Sequence, residues 1–296
     1  MKKISVVTIV YNGQEGIERT IKSVISQTIR NDIEYIIVDG ASKDNTLNII
    51  KKYEDYIDKF VSEPDHGIYD AMNKGISLAS GEWISFINAD DIYAQNDVLA
   101  KAIAEAENAG VIYGKTKFMS ESGEFLYEDS PEKIETIFDR MPFGHPSTLT
   151  KADLLKELKF NTAFRITADF DFFLKAYLSG AKFIYADITI SEFRLGGVSS
   201  AAISSTTVET IYSILSNTSV EVTKKSLFYK NLSFSTKLEE LKELNERLVS
   251  ENEKLETINS SVNELNTKIQ KFYTSKVYNS LRFVSSLIFK IRKRVG

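Results

Sequence analysis

Cysteine is absent from this 296-residue chain, and histidine occurs only at His66 and His145. That excludes disulfides, thiolate metal sites and histidine-rich centres. Any metal would rest mainly on oxygen ligands, which favours magnesium, manganese or calcium. No apolar run reaches the roughly 18 residues of a membrane span, and no signal-like segment opens the chain, so a cytosolic protein is expected. Basic charge is scarce except at the end. The net charge is −4, yet Lys271, Lys276, Arg282, Lys290, Arg292, Lys293 and Arg294 face no acid from 271 onward. The tail is therefore +7 and residues 1–270 carry −11. An acidic body without a basic stripe argues against nucleic acid as a partner, while the tail points to an anionic surface. What is present, 43% apolar and 26% charged residues, suits a soluble chain with a well-filled core.

The body alternates. ISVVTIVY reads as a buried strand, and EGIERTIKSVISQT follows with Ile17, Ile21, Val24 and Ile25 on one helical stripe. EYIIVDG is a second buried strand. Asp44 or Asn45 is placed to cap the next helix, with Leu47, Ile50 and Ile57 inward. FVSEP is a short strand, GIYDAMNKGISLA a helix with Ile68, Met72, Ile76 and Ala79 on one face, and WISFIN a fourth strand. This order predicts an α/β fold with a mainly parallel, doubly wound sheet. Beyond Val111 the rhythm changes. VIYGKTKFMSESGEFLY reads as a hairpin turning at 121–123, and PFGHPSTLT as loop. ITADFDFFLKAYLSG reads as helix, KFIYADITISEFR as strand, and LGGVSSAAISSTT as a mobile loop.

Two buried strands end on carboxylates: EYIIV on Asp39, and WISFIN on Asp90 and Asp91. Asp and Asn favour turns, so each alone has a bland explanation. Neighbouring parallel strands, however, bring their carboxyl ends to one crevice, where open α/β sheets bind ligands. An acid at Asp39 suits a base or ribose, and a divalent cation at Asp90 would neutralise a diphosphate. Asp169 opens a helix, where Thr167 is a candidate cap and an acid is favourable in any case. Asp171 has an ordinary surface partner in Lys175 four residues on.

ISVVTIVYNG…SVISQT, EYIIVDGASKDNT, DHGIYDAMNKG…ASGEWISFINADD and ITADFDFFLKAY, in this order, resemble the family 2 glycosyltransferases over roughly residues 4–200. The resemblance implies a Rossmann-like glycosyltransferase A domain and an inverting enzyme that takes its donor from a nucleotide sugar, most simply a UDP-sugar. It implies that Thr8, Tyr11, Asn12, Asp39, Asn73, Lys74, Asn88, Ala89 and Asp90 surround the nucleotide. Asp90 would hold Mn2+ or Mg2+, with Asp91 the second candidate, and Asp169 would be the general base. His145, Arg194, Gly196 and Gly197 would form loops near diphosphate or acceptor. The pattern departs from the family at Asn88, where the first acid of D-x-D is usual, and at Ala168, where Glu often precedes the base. It also departs at Met72, where Arg is common, and at Arg194, where His is common. Those departures are the support for a second reading, a transferase-like scaffold that has lost activity. A nucleotidyltransferase would need a Gly-rich basic loop after the first strand, and YNGQEGIE has little of it.

Leu241, Leu244, Leu248, Glu251, Leu255, Ile258, Val262, Leu265, Ile269 and Phe272 follow a 3-4 spacing, a coiled-coil seam that needs a partner, most simply a second copy of the chain. Val277, Leu281, Val284, Ile288 and Ile291 share a face in a basic tail helix suited to an anionic membrane. The expected organisation is a transferase domain at 1–205, a helical connector at 206–237, a coiled coil at 238–272 and a membrane-associating helix at 273–296. The acceptor would then be a lipid-linked or oligosaccharide glycan, used by an oligomer on the inner face of the cell membrane.

Overall fold

The computed structural model describes residues 3–196 and 203–230. In chain order the elements are β1 (Ile4–Val10), α1 (Ile17–Ile25), β2 (Ile33–Asp39), α2 (Thr46–Lys51), β3 (Lys59–Ser62), α3 (Ile68–Leu78), β4 (Trp83–Phe86), β5 (Ile92–Tyr93) and α4 (Val98–Ala104). There follow β6 (Val111–Met119), β7 (Phe125–Glu128), β8 (Thr148–Lys151), α5 (Ala152–Leu158), α6 (Ala168–Leu178), β9 (Phe183–Arg194), α7 (Ile203–Asn217), α8 (Val220–Lys225) and α9 (Leu227–Lys230).

One sheet runs β3-β2-β1-β4-β8-β6-β9-β5, with β7 hairpinned on β6. The half from β3 to β4 is parallel. Every residue of β1 and β2 is buried because both faces of the sheet are covered, which explains their unbroken apolar runs. Alternation still sorts them. Ile4, Val6 and Val10 pack with Ile17, Ile21 and Val24 of α1 and with α4, whereas Val7 and Ile9 pack with Met72 and Ile76 of α3 and the phenylalanines of α6.

The second half departs from a purely parallel pattern. β8 is inserted between β4 and β6, antiparallel to both, through Ile84 opposite Thr150 and Ile112 opposite Leu149. PFGHPSTLT reads locally as loop because of its Gly and two Pro. Its last residues become strand through partners remote in sequence. Other inward positions shift as well. α2 turns Thr46, Ile49 and Ile50 inward, leaving Leu47 exposed and Ile57 half-buried, and Ile68 at the start of α3 is exposed. Asn45, Asp97 and Thr167 occupy N-cap positions, but none makes a side-chain cap bond. The mobile-loop reading fails from Ile203, where α7 begins, and α7 to α9 belong to the same compact unit as the sheet. Residues 238–272 and 273–296, read above as coiled coil and tail helix, lie outside the described residues, as does Gly197. No helix among the described residues is long and apolar enough to cross a membrane.

Candidate active site

The loops leaving the carboxyl ends of β1, β2 and β4 hold most of the unusual backbone. Five described non-glycine residues have positive φ, and three of them, Asn12 (49°), Ala41 (61°) and Asp90 (90°), follow these strands. Such conformations cost about 1–3 kcal/mol each and persist only where the surroundings enforce them. Here the enforcement is visible. Asn12 N–H donates to Ser42 Oγ (2.7 Å), Lys43 N–H to Asn12 Oδ1 (2.8 Å) and Gly13 N–H to Thr46 Oγ1 (2.9 Å), lacing the first two loops together. The Asn12 side chain is thus committed to the neighbouring loop. Tyr11 remains 63% exposed, its ring over Gly40, where any Cβ would meet it at 3.3 Å.

Asp39 is fully buried at the end of β2. Its Oδ2 accepts Ser42 N–H (3.0 Å) and Ser62 Oγ–H (2.6 Å), while Oδ1 has no hydrogen-bond partner. Asn88 Oδ1, at the end of β4, is buried and unpartnered too. An orphaned buried acceptor costs about 1–3 kcal/mol. The two lie at the carboxyl ends of the strands flanking β1, so this sheet edge holds two acceptors that lack donors. Thr8 does not take part. It is fully buried within β1, and its hydroxyl pairs with Tyr35 Oη at 3.1 Å. Asn73 also turns away, using Nδ2 and Oδ1 on the carbonyl (2.8 Å) and N–H (3.0 Å) of Phe160. Lys74 is held by Glu63 (3.0 Å) and the Pro64 carbonyl (3.0 Å), and Ala89 anchors its loop by donating its N–H to Ile9 O (3.0 Å).

The acidic pair divides sharply. Asp90 has a 40% exposed side chain whose Oδ1 forms a close ion pair with Arg19 and lies 3.8 Å from Arg194 Nη1. Its N–H donates to Thr20 Oγ1 (3.0 Å), which holds the left-handed conformation. Asp91 is buried and accepts Arg194 N–H (3.3 Å). Burial, reinforced by the charge of Asp90, pushes its pKa well above the usual carboxylate range despite that bond. Of the two acids proposed for a cation, Asp90 is thus the exposed one, and Asp91 lies buried behind it against the Arg194 backbone. No cluster of three or more His, Asp or Glu residues suited to a metal occurs among the described residues. The donor set fits a divalent cation only through Asp90, with the remaining ligands coming from a diphosphate and water. Magnesium sites are commonly built that way.

Asp169 opens α6. Its Oδ1 accepts Tyr69 Oη–H (3.0 Å) and Phe170 N–H (2.9 Å), and its Oδ2 lies 3.9 Å from His145 Nδ1. The His145 ring packs 5.6 Å from Phe86, the last residue of β4, so Asp169 belongs to the same sheet edge as Asp90. Burial pushes the pKa of His145 down, partly opposed by Asp169, which favours a neutral imidazole. Asp171 has the foreseen bond to Lys175 (2.6 Å), but it is buried rather than on the surface and also accepts from Ser213 (2.8 Å) and Asn217 (3.0 Å). Gly196 has φ of 108°, and a Cβ there would meet Glu121 at 2.7 Å, so only glycine fits.

Residues 5–172 match the sequence model of glycosyl transferase family 2, more than half of the chain. The chain belongs to glycosyl transferase family 2. An uncharacterized glycosyltransferase of Mycobacterium tuberculosis is 39% identical over 109 residues, 37% of this chain and 42% of that protein. The chain thus spans less than half the length of this curated relative. A PGL/p-HBAD biosynthesis glycosyltransferase of Mycobacterium bovis is 28% identical over 190 residues, 61% of this chain and 73% of the relative. Among solved structures, Staphylococcus aureus TarS in complex with UDP-GlcNAc has a TM-score of 0.61 at 20% identity, covering 79% of this chain and 73% of its own. A Pyrobaculum calidifontis mannosyltransferase in complex with GDP-Man and Mn2+ scores 0.59 at 19% identity, over 77% of this chain and 68% of its own. At these identities the likeness is one of fold.

The sequence reading did not single out Arg19, Thr20 and Tyr69, which the structure brings against Asp90 and Asp169. Tyr69 had a usable signal: a tyrosine inside an apolar helical stripe must find a partner for its hydroxyl. Arg19 and Thr20 had none, since one full turn of α1 meets the β4 loop only in the folded sheet.

Proposed function

We propose that this protein is an inverting, metal-assisted glycosyltransferase that moves a sugar from a nucleoside-diphosphate donor to a glycan acceptor. The observation that carries the reading is the pair of orphaned acceptors, Asp39 Oδ1 and Asn88 Oδ1, on the edge that also presents Asp90 and Asp169. Asp39 and Asn88 accept from base and ribose, and the exposed ring of Tyr11 covers the base. Asp90 would hold a divalent cation, which when bound supplies positive charge against the departing diphosphate. Arg19 and Arg194, both directed at Asp90, add guanidinium charge to the same place and form forked bonds readily with phosphate oxygens. Asp169 takes the acceptor hydroxyl proton as that oxygen attacks the anomeric carbon, and Tyr69 keeps the carboxylate aimed. Attack on an α-linked donor from the opposite side yields a β-glycoside without a covalent enzyme intermediate. UDP-sugars are the first donors to test and GDP-sugars the second. The acidic body, seam and basic tail support an oligomer at the cytoplasmic membrane face acting on lipid-linked or oligosaccharide glycans.

Calorimetric titration of UDP and GDP, each with and without Mn2+, against wild type and Asp90→Ala tests the donor site. Metal-dependent binding of one nucleotide, lost in the variant, is the expected result. No binding by either would favour the inactive-scaffold reading. Flotation of the full chain with phosphatidylserine vesicles tests the tail, and failure to float removes the membrane from the proposal.

A further inference from the structure

Glu209 lies beyond the family match, on α7, in a segment read from sequence as connector. Its carboxylate gathers an unusual set of donors. Oε1 accepts Arg165 N–H (3.1 Å), and Oε2 accepts Ile166 N–H (2.9 Å), Thr167 N–H (3.0 Å) and Thr167 Oγ1–H (3.2 Å). Three successive backbone amides thus converge on one side chain immediately before α6. Thr167 makes no cap bond of its own, so a carboxylate from a different helix completes this helix start. Negative charge there is favoured by the helix dipole and by otherwise unpaired N–H groups.

The loop so held carries Asp169. The Ile166 carbonyl accepts Tyr69 Oη–H at 2.6 Å, and the same hydroxyl reaches Asp169 Oδ1 at 3.0 Å. Glu209 therefore fixes the amide side of Ile166 while Tyr69 fixes its carbonyl side and the carboxylate together. α7 is seated independently by Ser213 and Asn217 on Asp171 and by Ile214 in the core, so Glu209 is presented from a firm base.

We propose that Glu209 is a positioning residue for the reaction, setting the aim of Asp169 through the 165–167 backbone. The inference rests on Asp169 being the base. Glu209→Gln replaces one acceptor oxygen with an amide donor facing the same N–H groups, so the loop must shift. A misplacement of about 1 Å lowers turnover on the order of 100-fold. The assay is nucleoside diphosphate release from UDP-GlcNAc and from GDP-mannose with Mn2+, for wild type, Glu209→Gln, Glu209→Asp, Asp169→Asn and Ile214→Val. The expected result is a kcat at least tenfold lower in Glu209→Gln, with donor KM and nucleotide Kd within twofold of wild type. Glu209→Asp, which keeps the charge and both oxygens, should recover part of the loss, and it carries the test if the Gln variant does not fold. Ile214→Val is the stability control, trimming the core of the same helix and lowering Tm while leaving kcat in place. Loss in Asp169→Asn but not in either Glu209 variant overturns the inference alone, as does an equal kcat loss in Ile214→Val. Equal turnover by wild type and Asp169→Asn, zero included, removes the base assignment and with it the group that Glu209 would position.

Discussion

Gly16, just before α1, offers a substitution whose clash is aimed at Asp90 in the proposed donor site. Its φ of −114° and ψ of −32° are open to any L-residue, so alanine meets no backbone strain. Nor does alanine itself add polarity or charge. Its Cβ would, however, lie 2.7 Å from both the Cα and the Cβ of Asp90, where ordinary contact begins near 3.4 Å. One side must move by about 0.7 Å, the difference between those distances. α1 is locked beneath the sheet by Ile17, Ile21 and Val24, all fully buried, so the half-buried turn at Asn88–Asp90 is the side that yields. Asp90 already has a φ of 90° and is held by Thr20, so the displacement breaks an arrangement with little tolerance. Overpacking of this kind costs about 1–3 kcal/mol of stability. Misplacing the carboxylate proposed to face the diphosphate by that distance should lower kcat/KM by roughly 10- to 100-fold. The measurement is steady-state turnover of the donor identified by titration, with Tm recorded alongside. Gly16→Ala with unchanged kcat/KM and a native Tm would refute the reasoning, because it would mean that Asp90 can shift without consequence.

Three other predictions are more direct. Tyr69→Phe removes the hydroxyl shared by Ile166 and Asp169; a bond to a charged group is worth about 1.5–3 kcal/mol, so kcat should fall at least tenfold with nucleotide binding unchanged. Chelation by EDTA should weaken nucleotide binding in wild type, and if Asp90 is the protein's metal ligand, it should have little further effect in Asp90→Ala. Glu34 is buried, and burial alone would raise its pKa, but Lys59, Ser5 and Ser80 outweigh that and hold it at about 2. Because its folded pKa is depressed, its contribution is complete above about pH 4.5 and is lost as pH falls toward 2. The size is about 3 kcal/mol. Urea unfolding of Glu34→Gln should therefore show a stability gap from wild type at pH 7 that narrows by pH 3; a gap independent of pH would contradict the assignment.

Periodicity sufficed wherever an element's partners were implied by its own pattern. β1 and β2 announce double burial through unbroken apolar runs, and α1 announces one covered face through Ile17, Ile21 and Val24. The acids ending EYIIVD and SFINADD meet at one sheet edge, as read, because parallel strands must bring their carboxyl ends together. The motifs within residues 5–172 carried the family. None of this required a contact between distant residues to be known.

Tertiary structure decided whatever depends on such a contact. Adjacent in sequence and alike in chemistry, Asp90 and Asp91 receive opposite environments from one turn of backbone: exposure beside two guanidinium groups, and burial that raises the carboxyl pKa. Asn73 resembles a nucleotide contact by motif, yet Phe160, 87 residues away, takes both ends of its amide. β8 is strand only because β4 and β6 lie on either side of it, and Glu209 matters only because α7 folds back onto the start of α6. Local pattern sets which face of an element seeks burial. The partner that a polar group finds is a property of the packed chain, where charge and hydrogen bonding are settled by neighbours that sequence spacing does not reveal.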